Sequence, residues 1–275
     1  MSLSINQWTI KPASMPDVVA AVKANGLEAI GLWRQNVAAH GLAETAALVQ
    51  REGLRVSTLC RGGFLTAADP DARAAAIRDN EDAIREAVAL GTRTVVLVVG
   101  GLLDGEKDLV ATRRRVTENI AAIAPFAEAE GVKLAIEPLH PMFAADRAVV
   151  STLDQALDIA EEVGSDHVGA VVDTYHVWWD PNLSAAIERA GRLGKLFSYR
   201  VCDWNLPLAT EPLHSRGYMG DGFIDFPTIT RLVAATGYDD DIECEIFNED
   251  IWAEPPAEAV ATVKRRYDAL VAPHL

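Results

Sequence analysis

Four short stretches hold the residues best suited to chemistry: "IEPLHP" (136–141), "VVDTYHVWW" (171–179), "SYRVCDWN" (198–205) and "IECEIF" (242–247). Each places ionisable side chains at the end of an apolar run, giving Glu137 and His140, Asp173 and His176, Arg200 and Asp203, and Glu243 and Glu245. An isolated acid at the end of a buried strand is costly unless a cation accompanies it. Glu137, Asp173 and Glu245, if brought to one point, repel one another, so something positive must sit among them. A divalent metal with hard oxygen ligands suits three carboxylates, with manganese ahead of magnesium or cobalt. Arg200 is the other candidate, in place of the metal or beside it, because a guanidinium inside an apolar strand needs a carboxylate or anion. Any one of these acids could instead form an ordinary ion pair with Arg34, Arg61 or Arg200. It is the three together that point to a site.

The elements that must position these residues are short. Strands are expected at 4–8, 28–33, 55–60, 94–100, 133–138, 168–174, 196–203 and 241–247. Between them, apolar residues recur at helical spacing over 15–25, 71–90, 108–130, 151–163 (capped by Ser151 or Thr152) and 256–271. Eight strands alternating with helices in a chain of this length predict a single-domain (β/α)8 TIM barrel over residues 1–275. A doubly wound open sheet is disfavoured, because no GxGxxG follows the first strand. In a barrel the strand C-terminal ends carry the active site, which is where the ionisable residues fall.

Composition narrows the function. The chain has 275 residues, 49% hydrophobic and 24% charged, with a formal net charge of −15. That charge argues against nucleic-acid or anionic-membrane partners, which need a basic footprint. Cys60, Cys202 and Cys244 show no CxxC spacing and are expected as buried free thiols. No basic region followed by an apolar core opens the chain, and "TVVLVVGGLL" is about half the ~20 residues of a membrane span, so a cytoplasmic protein is expected.

The tryptophans add a hint about the ligand. Trp8, Trp33, Trp178, Trp179, Trp204 and Trp252 all fall at or after strand ends. Indoles stack on the apolar faces of sugar rings, although they could equally plug the barrel top. The loop "LHSRGYMGDGFIDF" (213–226) carries three glycines and Arg216, which could bind a phosphate or carboxylate of a substrate.

The segments "AIEPLHP", "VVDTYHVWWDP", "VCDWN", "RGYMGDGFIDF" and "IECEIF" resemble the xylose-isomerase-like barrel superfamily of sugar isomerases and epimerases, over essentially the whole chain. The resemblance implies a divalent metal, no organic cofactor, a small sugar or polyol substrate and, commonly, a homo-oligomer. It matches Glu137, Asp173 and Glu245 to metal ligands and His176 to a substrate-contacting histidine. It also implies Glu137 and Glu245 as acid and base on opposite faces of the sugar. Trp8, Trp33, His140 and Arg216 complete the substrate-facing candidates. The remaining metal-ligand position falls on Arg200, a departure, since arginine cannot ligate a metal. Either the metal survives on three carboxylates and waters, with Arg200 binding substrate oxygens or pairing with Glu245, or Arg200 supplies the charge and the site is metal-independent or inactive. The implied reaction is metal-dependent isomerisation or epimerisation through an enediolate. A superfamily lyase (an inosose-type dehydratase or a C-glycoside-cleaving barrel) and a non-catalytic sugar-binding barrel are the alternatives.

Overall fold

A computed structural model describes all 275 residues. Eight parallel strands close a barrel: β1 (Leu3–Asn6), β2 (Ala29–Trp33), β3 (Arg55–Gly63), β4 (Thr94–Val98), β5 (Lys133–Ile136), β6 (Val168–Asp173), β7 (Leu196–Val201) and β8 (Ile242–Cys244). Each pairs with the next in sequence, and β8 pairs with β1 through Leu3–Ile242, Ser4–Glu243 and Ile5–Cys244. This is the expected (β/α)8 barrel. The strands are nearly continuous apolar runs because both faces are covered, by helices outside and by side chains within.

Strand lengths differ from expectation for local reasons. β1 stops at Asn6, whose side-chain oxygen accepts from the Trp8 N–H and starts a 3-10 turn over Gln7–Ile10. β3 runs on to Gly63 through a shift in its register with β4 after Cys60. The expected helices are present, and Thr152 is the cap of Leu153–Val163, accepting from the Gln155 N–H. Helices at Arg34–His40, Leu42–Arg51, Leu183–Leu193 and Phe226–Ala235 complete the outer ring.

Alternation along the strands decides what faces the lumen. On β7, Tyr199 points outward, where its hydroxyl meets Thr230 of the helix Phe226–Ala235 at 2.9 Å. Its neighbour Arg200 therefore points inward. On β8, Ile242 and Cys244 join the outer apolar core, and Glu243 and Glu245 face the interior. The loop after β7 is tied back by Asp203, whose carboxylate accepts from the N–H groups of Trp204, Gly220 and Ile224 at 2.8, 2.8 and 3.1 Å. Asp203–Trp204 also pairs antiparallel with Arg216–Gly217, which draws Arg216 over the barrel mouth. Gly222 is required there, since a Cβ would lie 2.1 Å from the Trp204 carbonyl oxygen. All three cysteines are buried free thiols, and no helix is long and apolar enough to cross a membrane.

Candidate active site

The site is organised around two buried arginines. Arg200 sits on β7 with Asp173 as its register partner on β6 and Glu243 as its partner on β8. It is 1% exposed and reaches across the lumen. Its Nη1 donates to Glu137 (3.0 Å) and Glu245 (3.1 Å), while Nη2 donates to Thr58 Oγ1 (3.2 Å) and Cys60 Sγ (2.8 Å). The same Nη2 lies 3.0 Å from Glu243. Glu243 is fully buried and also accepts from Asn6 (2.8 Å), Ser57 (2.6 Å) and Thr58 (2.8 Å). Gly31 makes room for this carboxylate, because a Cβ there would stand 2.4 Å from its Oε2.

Arg216 enters from the loop and is equally buried. Its Nη1 donates to Asp173 (2.9 Å) and to the Glu245 carbonyl (3.2 Å), and also reaches Cys202 Sγ (3.3 Å). Its Nη2 lies 2.9 Å from His176 Nε2 and 3.5 Å from the Glu245 carboxylate. On the far side of the ring, the His140 backbone nitrogen lies 3.2 Å from His176 Nδ1. A neutral imidazole has one lone pair to offer, and the charged donor at 2.9 Å has the stronger claim to it.

Protonation follows from this burial. Burial pushes the Glu137 carboxyl up to about 8; Arg200 opposes the shift and the nearby Glu245 and Asp173 reinforce it. Glu245 is raised in the same way, by burial against the pull of Arg200 and Arg216. Burial works to raise Asp173 too, but Arg216 outweighs it and holds that carboxyl below its ordinary value. His176 is drawn down to about 3, chiefly by burial, so it is neutral. The three acids therefore play different parts. Asp173 is a fixed anion, while Glu137 and Glu245 hold protons readily.

The three carboxylates expected as metal ligands lie close together. Glu137, Asp173 and Glu245 bring ligand atoms within 4.8 Å of one another, as do Cys60, Glu243 and Glu245. Arg200 donates into both groups and Arg216 into the first. While both guanidiniums hold these positions the donor set does not fit an ion, and the position of a fourth ligand is itself Arg200. Three buried polar atoms here have no hydrogen-bond partner: Arg200 Nε, Arg216 Nε and Glu245 Oε1.

Above the acids, at the strand C-terminal ends, lies a cavity of about 80 Å³. Glu137, Glu245, Arg200, Arg216 and His176 line its floor, and Trp33, Phe247, Arg61 and Phe64 its walls. Small-molecule pockets start at roughly 300 Å³, so this space takes the reacting end of a ligand and not a whole ring. Phe64 is half exposed at the rim on a left-handed backbone (φ 53°), with the Arg61 guanidinium 4.0 Å from its ring centre. A larger depression opens at the opposite end, beside Arg55, Thr94 and Lys133, where the strands begin and none of these acids reaches.

Of the remaining sequence candidates, Trp33 lines the cavity and Trp8 stacks behind it, 4.1 Å away at 15°. His140 lies outside the cavity lining. Its Nδ1 accepts from the Met142 N–H and its ring packs on Trp204 and Trp179. Arg216 serves the protein's own Asp173, where a substrate anion had been expected. Glu243, a strand-end acid in the sequence with no role assigned to it, and Cys60, expected only as a buried thiol, both meet Arg200 Nη2.

The family model for xylose isomerase-like TIM barrels matches residues 19–267. The chain belongs to that family. Within it, the chain is 25% identical to an inosose isomerase of Bacillus velezensis over 84% of this chain and 81% of that one. It is 28% identical to an L-ribulose 3-epimerase of Mesorhizobium japonicum over 69% of this chain and 60% of that one. Among solved structures, protein SMc04130 of Sinorhizobium meliloti 1021 superposes with a TM-score of 0.95 at 47% identity, covering 98% of both chains. The IOLI protein, solved with a zinc atom, shares the fold with a TM-score of 0.85 at 21% identity, covering 100% of this chain and 99% of that one.

Proposed function

We propose that this protein is a carbohydrate isomerase or epimerase that moves a proton α to a carbonyl between Glu137 and Glu245. The observation that carries the reading is the placement of these two proton-holding carboxyls on either side of one guanidinium nitrogen, at the floor of a cavity on the catalytic face. Two named relatives, an inosose isomerase and an L-ribulose 3-epimerase, support the substrate class.

The step needs one carboxylate and one carboxylic acid. Glu245, ionised, takes the proton from the carbon next to the carbonyl; the C–H pair forms a carbon–carbon double bond and the carbonyl π pair moves onto its oxygen to give an enediolate. Glu137, protonated, returns a proton to the other face of the same carbon, or to the neighbouring carbon while the hydroxyl proton passes to the enediolate oxygen. A proton has moved and no oxidant is consumed. The burial that raises both carboxyls brings their proton affinity nearer to what abstraction next to a carbonyl requires. His176, whose Nε2 accepts from Arg216, is a positioning residue for the Arg216 fork. Trp33 and Phe247 offer the ring contacts that suit a polyol. The manganese dependence implied by the resemblance would require both guanidiniums to give up their carboxylates, and the site supports that part least.

The test is a screen of ketopentoses, ketohexoses and inososes, with products identified by chromatography and mass. A rearranged product of unchanged mass is expected. A product lighter by one water would assign a dehydratase instead, and no turnover of any of these would contradict the reading.

A further inference from the structure

We propose that Arg200 and Arg216 are the resident cations of this site and that the protein works without a bound divalent ion. Two groups of side chains are close enough to share an ion, and both contain atoms already engaged by Arg200. Its Nη1 serves Glu137 and Glu245, and its Nη2 meets Cys60 and Glu243. The remaining carboxylate, Asp173, is held by Arg216. Every acid able to ligate an ion thus has a guanidinium donor between 2.9 and 3.1 Å.

Arg200 cannot simply swing aside to admit an ion. It stands on a barrel strand with Asp173 and Glu243 as register partners, and its Nη2 is further tied to Thr58. Withdrawing it would strip the counter-charge from a fully buried Glu243, which lies on the other side of the guanidinium from the cavity-lining Glu137. A dication placed among these oxygens would also lie against two guanidiniums, and like charges at that range repel strongly in a buried site.

The arginines can take over what an ion would do for the proposed proton transfer, and in this respect the inference rests on that reading. A guanidinium stabilises a developing oxyanion by hydrogen bonds from a fixed fork, with no proton transferred to or from the arginine. Two buried N–H groups here, Arg200 Nε and Arg216 Nε, have no partner within the protein.

The test separates the cation from the reaction. Wild-type protein purified without chelator is assayed by elemental mass spectrometry, then titrated with manganese by calorimetry, beside Arg200→Gln. The expected result is metal well below one ion per chain and no binding heat in the wild type, with binding gained in Arg200→Gln. Near-stoichiometric metal in the wild type would overturn the proposal whatever the activity proves to be. A folded Arg200→Gln variant that binds no ion would overturn the claim that the guanidinium stands in an ion's place. If that variant does not fold, the wild type decides by its melting temperature: manganese should leave it unmoved, and a rise would overturn the proposal.

Discussion

Arg200 and Glu243 are direct partners across β7 and β8, and their side chains meet at 3.0 Å inside the barrel. The sheet itself therefore sets the position of the central cation, since register places the two inward side chains side by side. Asp173 is the register partner of Arg200 on the other flank, through β6, and its carboxylate is held by Arg216. The charge arrangement of the site is thus built into strand pairing, and the loop contributes only the second guanidinium.

Removing that cation should be costly to stability. Arg200→Ala leaves Glu137, Glu243 and Glu245 buried without their shared donor. Breaking a buried pair from one side costs about 3–5 kcal/mol. The urea midpoint of the variant should fall accordingly. A midpoint equal to that of the wild type would show that the network is not structural.

Gly31→Ala probes the same network from the wall. The added methyl would lie 2.4 Å from Glu243 Oε2, so the carboxylate must leave its place between Asn6, Ser57 and Thr58. Overpacking of this kind costs about 1–3 kcal/mol. Thermal unfolding should show a lowered midpoint, whereas an unshifted one would mean that Glu243 has free space to move into.

Glu137 sets a pH dependence with a definite sign. Its carboxyl is raised from 4.5 to about 8 in the folded protein, so the folded chain holds a proton that the unfolded chain releases. Stability from this group is present below about 4.5 and is lost as pH rises through about 8. Urea unfolding from about pH 5 to about pH 9 should show wild-type stability falling with pH, and Glu137→Gln should flatten the slope. Equal slopes in the two proteins would place the proton elsewhere.

His176 should be silent in the pH profile of activity. With its imidazole drawn down to about 3, no inflection is expected near the ordinary histidine value of 6.5. An inflection there that disappears in His176→Asn would contradict a neutral ring between Arg216 and His140.

Much of this was legible in the sequence, because strand ends announce themselves. Glu137, Asp173, Arg200 and Glu245 each close an apolar run, and the barrel brings together what those runs deliver. Arg216 was legible as a residue but not in its role. Its place depends on Asp203 gathering three backbone N–H groups and folding the glycine loop over the mouth, a long-range event that no local pattern encodes. His140 misled because proximity to Glu137 in sequence does not survive the turn that its own side chain caps. Glu243 was legible as a strand-end acid but not in its role, since Glu245 alone completed the expected ligand set.

Proton transfer between Glu137 and Glu245 is open to a direct test by solvent isotope exchange. The protein is incubated with the ketose or inosose substrate found by screening in D2O, and deuterium at the carbon next to the carbonyl is followed by NMR. Wild type should wash deuterium into that position, and Glu245→Gln should slow the exchange by about a hundred- to ten-thousand-fold, as expected for loss of a general base. Exchange that persists unchanged in Glu245→Gln, or turnover without any deuterium uptake in wild type, would contradict the account.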